Sequence, residues 1–99
     1  MEIRSYRHKG LRALAGASEP KSVKGVPSDF AKKLHRQLTF IQAAPNIQQL
    51  ATMAMWKIHP LEPRSGHRWS LWVSGNFRLT FRLDPVSNVI TDVDLEDYH

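Results

Sequence analysis

The stretch Arg68-Trp69-Ser70-Leu71-Trp72-Val73-Ser74-Gly75-Asn76-Phe77-Arg78-Leu79-Thr80-Phe81-Arg82-Leu83-Asp84 decides the fold. Its apolar residues recur at every second position, first at Trp69, Leu71 and Val73, then at Phe77, Leu79, Phe81 and Leu83. A strand alternates its side chains between two faces, so each run reads as an amphipathic strand. Ser74-Gly75-Asn76 between the runs supplies residues that tolerate positive φ, which predicts a tight hairpin. The face made of Trp69, Leu71, Val73, Phe77, Leu79 and Phe81 must pack against other elements. The opposite face then carries Arg68, Ser70, Trp72, Arg78, Thr80 and Arg82.

Working outward, Asp84-Pro85-Val86-Ser87-Asn88 reads as a second turn, leading into a last strand from Val89 to about Leu95. Upstream, Trp56-Lys57-Ile58-His59 alternates, with Trp56 and Ile58 on one face and Lys57 and His59 on the other. Before it the period is helical. Phe30, Leu34, Leu38 and Ile41 form the buried stripe of a helix that Ser28 is expected to cap, with Asp29 at its positive end and Pro45 ending it. Asn46 is placed to cap a further short turn through Ile47, Leu50 and Met53. Lys9 to Ala15 predicts a short helix stopped by Gly16, residues 17–27 a loop rich in Ser, Pro and Gly, and Ile3 to Tyr6 a short strand. The expectation is one α+β domain over residues 1–99: an N-terminal strand and two to three helices packed on a twisted antiparallel sheet of about four strands.

A chain of 99 residues has no room for a separate cofactor lobe, and without cysteine it cannot build a disulfide framework or a thiolate zinc site. No apolar run approaches the roughly 20 residues of a membrane span, and Met1-Glu2-Ile3-Arg4-Ser5-Tyr6 lacks the apolar core of a secretory signal, so a cytoplasmic protein without membrane contact is expected. The charge is unevenly spread. All fourteen Lys and Arg lie at or before Arg82, whereas Asp84, Asp92, Asp94, Glu96 and Asp97 supply five of the nine acids. A positive excess of this kind attracts polyanions, because neutralising phosphates releases condensed counterions. Nucleic acid is therefore the leading partner class. Lys57, His59, Arg68, Arg78 and Arg82, with Trp72 among them, are expected to make the solvent face of the sheet basic.

RNA carries its own nucleophile, the 2′-hydroxyl. Cutting it requires a group that takes the hydroxyl proton, a cation for the in-line phosphorane and a group that protonates the leaving 5′-oxygen. Histidine suits the two proton transfers because it titrates near neutral pH, and arginine suits the charge through bidentate contact with phosphate. His59, Arg78, Asp97, Tyr98 and His99 include every residue type this chemistry needs. Glu62, His67, Asp92, Asp94 and Asp97 show no metal-ligand spacing, and no glycine-rich phosphate loop or nucleophile elbow occurs. Neither a metal nor another cofactor is expected.

Ile3-Arg4-Ser5-Tyr6-Arg7-His8-Lys9-Gly10-Leu11, Ile58-His59-Pro60-Leu61, Trp69-Ser70-Leu71, Val73-Ser74-Gly75-Asn76-Phe77-Arg78-Leu79-Thr80-Phe81 and Glu96-Asp97-Tyr98-His99 together resemble the HigB branch of the RelE-type toxins of bacterial toxin–antitoxin modules. The resemblance runs over nearly the whole chain and keeps the order of the motifs. It implies a RelE-like fold and a ribosome-dependent mRNA interferase that cuts mRNA in the A site of the 70S ribosome. It also implies a helix-turn-helix antitoxin of the HigA type from the same operon, with operator DNA bound only through the complex. Carried onto this sequence, it places the family's functional histidine at His59, its hairpin arginine at Arg78 and its acidic-aromatic-histidine end at Asp97, Tyr98 and His99. His59 or Asp97 would accept the proton, His99 donate one or contact phosphate, Arg78 meet phosphorane charge, and Tyr98 stack or position. The sequence departs from the family where it reads Glu62-Pro63-Arg64-Ser65-Gly66-His67, a carboxylate standing where a phosphate-facing lysine is implied. Arg64 or Arg68 would have to fill that gap, which joins them to Lys57, Trp72 and Arg82 as expected RNA contacts. The residues leave two further readings: a non-cleaving basic module of the same fold that binds the ribosome, RNA or its antitoxin, and a duplex-DNA binder, for which no recognition helix is visible.

Overall fold

The alternation around Arg68–Asp84 produces the hairpin it predicts: in a computed structural model that describes residues 1–61 and 67–98, β3 (Arg68–Trp72) pairs antiparallel with β4 (Phe77–Asp84). Leu71, Val73, Leu79, Phe81 and Leu83 are buried on one face. The turn is closed differently from the expectation. Neither Gly75 nor Asn76 takes a positive φ; instead the Phe77 carbonyl accepts from the amides of Val73 and Ser74. Positive φ appears at the next turn, at Asn88 (62°), whose amide donates to the Asp84 carbonyl at 2.8 Å. From there β5 runs from Val89 to Asp97, two residues longer than expected.

The sheet has five strands in the order β1-β5-β4-β3-β2, one more than the sequence suggested, and it is mixed. The added pairing is β1 (Glu2–Ile3), which lies parallel to β5 with Glu2 opposite Val89. Beyond β1 the chain stays on the outer edge of β5, with Arg4 N on the Ile90 carbonyl, Tyr6 bridging Val93, and Arg7 N on the Val93 carbonyl. This pairing occupies an edge that would otherwise present free backbone groups. At the other edge, β2 shrinks to His59–Pro60. The expected strand from Trp56 does not form, because Ala54–Trp56 make a 3-10 turn and Lys57 takes a left-handed conformation at φ 48°. The alternation there survives only as burial, with Trp56 inside and Lys57 and His59 exposed.

The helices cover the apolar face. α1 (Lys9–Ala15) buries Leu11 and Leu14, and α2 (Ala31–Ala43) buries Leu34, Leu38 and Ile41 as its spacing predicts, while Phe30 at the entry is only half-buried and packs on the Phe77 ring. Ser28 does not cap α2. It opens a 3-10 turn, Ser28–Phe30, without a side-chain cap. Asn46 does cap α3 (Ile47–Leu50), accepting from Gln49 N at 2.9 Å. Where β2 stops short, α2 takes over the edge of β3: Gln37 Nε2 donates to the Trp72 carbonyl at 3.0 Å and Lys33 Nζ to the Val73 carbonyl at 2.7 Å.

Candidate functional site

The face of the sheet away from the helices is ordered by strand register. One transverse row reads His59, Ser70, Thr80 and Asp94 across β2 to β5. The next reads Trp72, Arg78 and Glu96, and on the other side Arg68 and Arg82 sit opposite each other beside Thr91. Directly paired residues share a face, so His59, Arg68, Trp72, Arg78 and Arg82 are brought to one surface as the sequence predicts. That surface is not simply basic. β5 lays Asp94 and Glu96 across it, and the register shift between Thr80 and Arg82, with Asp92 at φ 55°, marks a bulge of the kind that re-aims side chains.

Charges on the face are paired in specific ways. Glu96 Oε2 accepts from Arg68 Nη2 at 2.9 Å and from the buried Thr80 hydroxyl at 2.5 Å. Arg78 turns Nη1 onto its own hairpin, donating to the carbonyls of Ser74 (2.6 Å) and Phe77 (3.0 Å), and its guanidinium lies 5.7 Å from the centre of the Tyr98 ring. Tyr98 is held there by its backbone amide, which donates to the Asn76 carbonyl at 2.6 Å. Arg78 and Tyr98 are thus assembled into one cation–aromatic unit at the hairpin end of the sheet. Asp97 falls opposite Phe77 in the register, on the reverse face from Arg78 and Tyr98.

His59 is exposed, its Nδ1 sharing a 2.7 Å hydrogen bond with the Lys57 carbonyl, and it stands on β2, three strands from β5. With strands about 4.8 Å apart, the strand of Arg78 lies about 10 Å from that of His59 and β5, which leads to Tyr98, about 14 Å, so they flank the face rather than touching. Trp72 is clasped by Lys33, 4.1 Å from its ring centre, and Lys57, at 5.7 Å. Arg68, Thr80 and Arg82 line a recess of about 240 Å³ together with Arg7, Asp92 and Asp94. Glu62, Arg64 and His99 lie outside the described residues.

Sequence reasoning missed Arg7, Lys33, Asp94 and Glu96 as members of this surface. Lys33 and Arg7 arrive from α2 and the β5 edge, which only tertiary pairing reveals. Glu96 was legible, because a strand ending at Asp97 puts it on the face of Arg78. Among the described residues no group of three or more His, Cys, Asp and Glu could hold a metal ion, and no helix is long and apolar enough to cross a membrane.

A five-stranded mixed sheet with helices on one face is consistent with the RelE-like fold. The chain belongs to the class of RelE-like toxins: a family model described as the RelE-like toxin of type II toxin-antitoxin system HigB matches residues 4–99. It is similar in particular to the endoribonuclease HigB of Proteus vulgaris, with 32% identity over 97 residues that cover 98% of this chain and 99% of that protein. A type II toxin has an antitoxin as its partner.

Proposed function

We propose that this chain is the toxin of a type II module and inhibits translation in the cytoplasm as an endoribonuclease, cutting mRNA in the A site of the ribosome. The observation that carries the reading is kinship over essentially the full length with a protein named an endoribonuclease. The 2′-hydroxyl attacks in line without need of a metal. His59, on the same face as Arg78, takes its proton in place of Asp97, which the register turns to the reverse face; Arg78 offsets charge on the phosphorane, Tyr98 stacks on or positions a nucleotide, and His99 protonates the leaving oxygen or holds phosphate. Lys57, Arg64, Arg68, Trp72 and Arg82 bind the strand on either side. Dependence on the ribosome fits a face whose His59 and Arg78–Tyr98 unit are separated, since an ordered substrate can bridge groups that do not meet on their own. The antitoxin is a helix-turn-helix protein of the HigA type, and operator DNA is bound through the complex.

A second reading, a non-cleaving module that docks on the ribosome, is favoured by one observation: Arg68 and Arg78 already engage protein acceptors. Primer extension on a reporter mRNA in a reconstituted translating system separates the two, using wild-type protein and His99→Ala, with ribosomes present or omitted. Cuts that need both ribosomes and His99 are expected. Intact mRNA with slowed translation would establish the non-cleaving module instead.

A further inference from the structure

A surface lined by cations, without carboxylates among its described residues, lies outside the sheet face. Loop 17–27 folds back over the start of α1 and leaves a groove of about 710 Å³, lined by Arg7, Lys9, Lys21 and Lys24 together with His8 and Ser22. No carboxylate occurs among its described lining residues, in contrast to the recess on the sheet, where Asp92 and Asp94 face the arginines. All four cations are exposed. Four like charges around one cavity repel each other, and a fold that holds them there favours an anion between them.

The groove is built rather than incidental. His8 Nε2 and the Gly25 carbonyl share a 3.0 Å hydrogen bond that ties the loop to the helix start. Gly25 takes φ 83°, a conformation that favours glycine. A Cβ at Gly10 would stand 2.5 Å from the Lys24 carbonyl, so only glycine lets the loop approach this closely. Three residues thus fix the distance between Lys9 on one wall and Lys21 and Lys24 on the other.

Arg7 decides what the anion is. It lines both this groove and the recess shared by Arg68 and Arg82, and joins them around the β5 edge. We propose that the groove between α1 and loop 17–27 is a second RNA site, gripping the phosphodiester backbone of a strand that continues from the sheet face past Arg7. Lysine acts as a point charge toward phosphate and reads no base, so the groove adds affinity and orientation without sequence preference. The proposal rests on the reading that the sheet face engages RNA.

The test is fluorescence polarisation with a labelled single-stranded 2′-O-methyl RNA of about 16 nucleotides, which binds but offers no attacking hydroxyl. Kd is measured over a salt series for wild-type protein, for Lys21→Ala/Lys24→Ala, and for Lys32→Ala/Arg36→Ala, an equal loss of charge on the exposed side of α2. Each lost phosphate contact lowers the slope of log K against log salt by about 0.7, so the groove variant is expected to lose about 1.4 in slope and about tenfold in affinity near 0.15 M salt. The α2 variant should lose less than half as much. An unchanged slope in the groove variant, or equal losses in both, overturns the proposal. So does a groove variant that keeps its RNA affinity but loses binding to an acidic peptide, which would make this a protein-docking surface. Circular dichroism melts confirm folding. Failure of the cleavage reading is seen separately, as intact mRNA on translating ribosomes with wild-type protein, and leaves the salt slopes to judge the groove.

Discussion

Ser70 and Thr80 lie opposite each other on β3 and β4, each 1% exposed, and their hydroxyls have opposite fates. Thr80 donates to Glu96 Oε2 at 2.5 Å, while Ser70 Oγ is buried with no hydrogen-bond partner among the described residues. Thr80→Val keeps the shape and removes a bond to a charged group, a loss of about 1.5–3 kcal/mol, offset by about 0.8 kcal/mol for the extra buried methyl. The net is a destabilisation of about 1–2 kcal/mol, or a Tm lower by on the order of 10 °C in a domain of this size. Ser70→Ala removes a hydroxyl whose burial already costs free energy, so the variant should be neutral or about 1 kcal/mol more stable, the gain being limited by a small void. Urea unfolding followed by tryptophan emission measures both, and the shift should appear in the midpoint with m unchanged. If Ser70→Ala costs as much as Thr80→Val, the serine has a partner in solution and the reasoning about this row fails. The double variant adds a coupling term, expected to be small because the two hydroxyls do not bond each other.

Three further outcomes follow from named contacts. Lys33→Met keeps the stem over Trp72 but leaves the Val73 carbonyl without its ammonium donor, and should cost about 1 kcal/mol by chemical denaturation and shift tryptophan emission. Gly10→Ala pushes the Lys24 carbonyl away and breaks the His8–Gly25 bond; this outweighs the helix-propensity gain of about 1 kcal/mol, so limited trypsin digestion should cut faster at Lys21 and Lys24, and equal rates would sink the close-approach argument. Backbone hydrogen bonds from Val86 and Ser87 hold the Asp84 carboxyl below its usual value of 3.8. A depressed carboxylate stabilises the fold above its unfolded pKa and loses that contribution as pH falls through the folded one. Asp84→Asn should therefore flatten the acid side of the Tm–pH curve below about pH 4.

The parts of the fold legible in the sequence are those set by local period. Leu71, Leu79 and Phe81 announce the hairpin, and Leu34, Leu38 and Ile41 the helix, because burial alone fixes their spacing. The misses have non-local causes. Lys57 adopts a left-handed φ that no glycine or asparagine signals, which ends the strand expected from Trp56. β1 pairs in parallel with β5, a partner 87 positions along the chain. The candidate site divides in the same way. Arg68, Trp72, Arg78 and Arg82 follow from alternation on two strands. Arg7, Lys33 and the bulge that orients Asp92 depend on how distant segments dock, so their places on the face stayed hidden.

The pairing of β1 with β5 also bears on how the protein forms. Strands β3, β4 and β5 are joined by tight turns and can assemble from near neighbours, whereas β1 must close a loop from Glu2 to Val89 before it gains a single ladder bond. Closure over such a span is entropically costly and belongs late in folding. Substitutions at Ile3 should then act mainly on unfolding rates and leave the folding rate almost untouched, the mark of contacts absent from the transition state. Arg7 and the wall of the basic groove that it carries are held by this same late-docking segment. A nascent chain would therefore complete the sheet face first and the groove last, which separates in time two surfaces that the folded protein presents side by side.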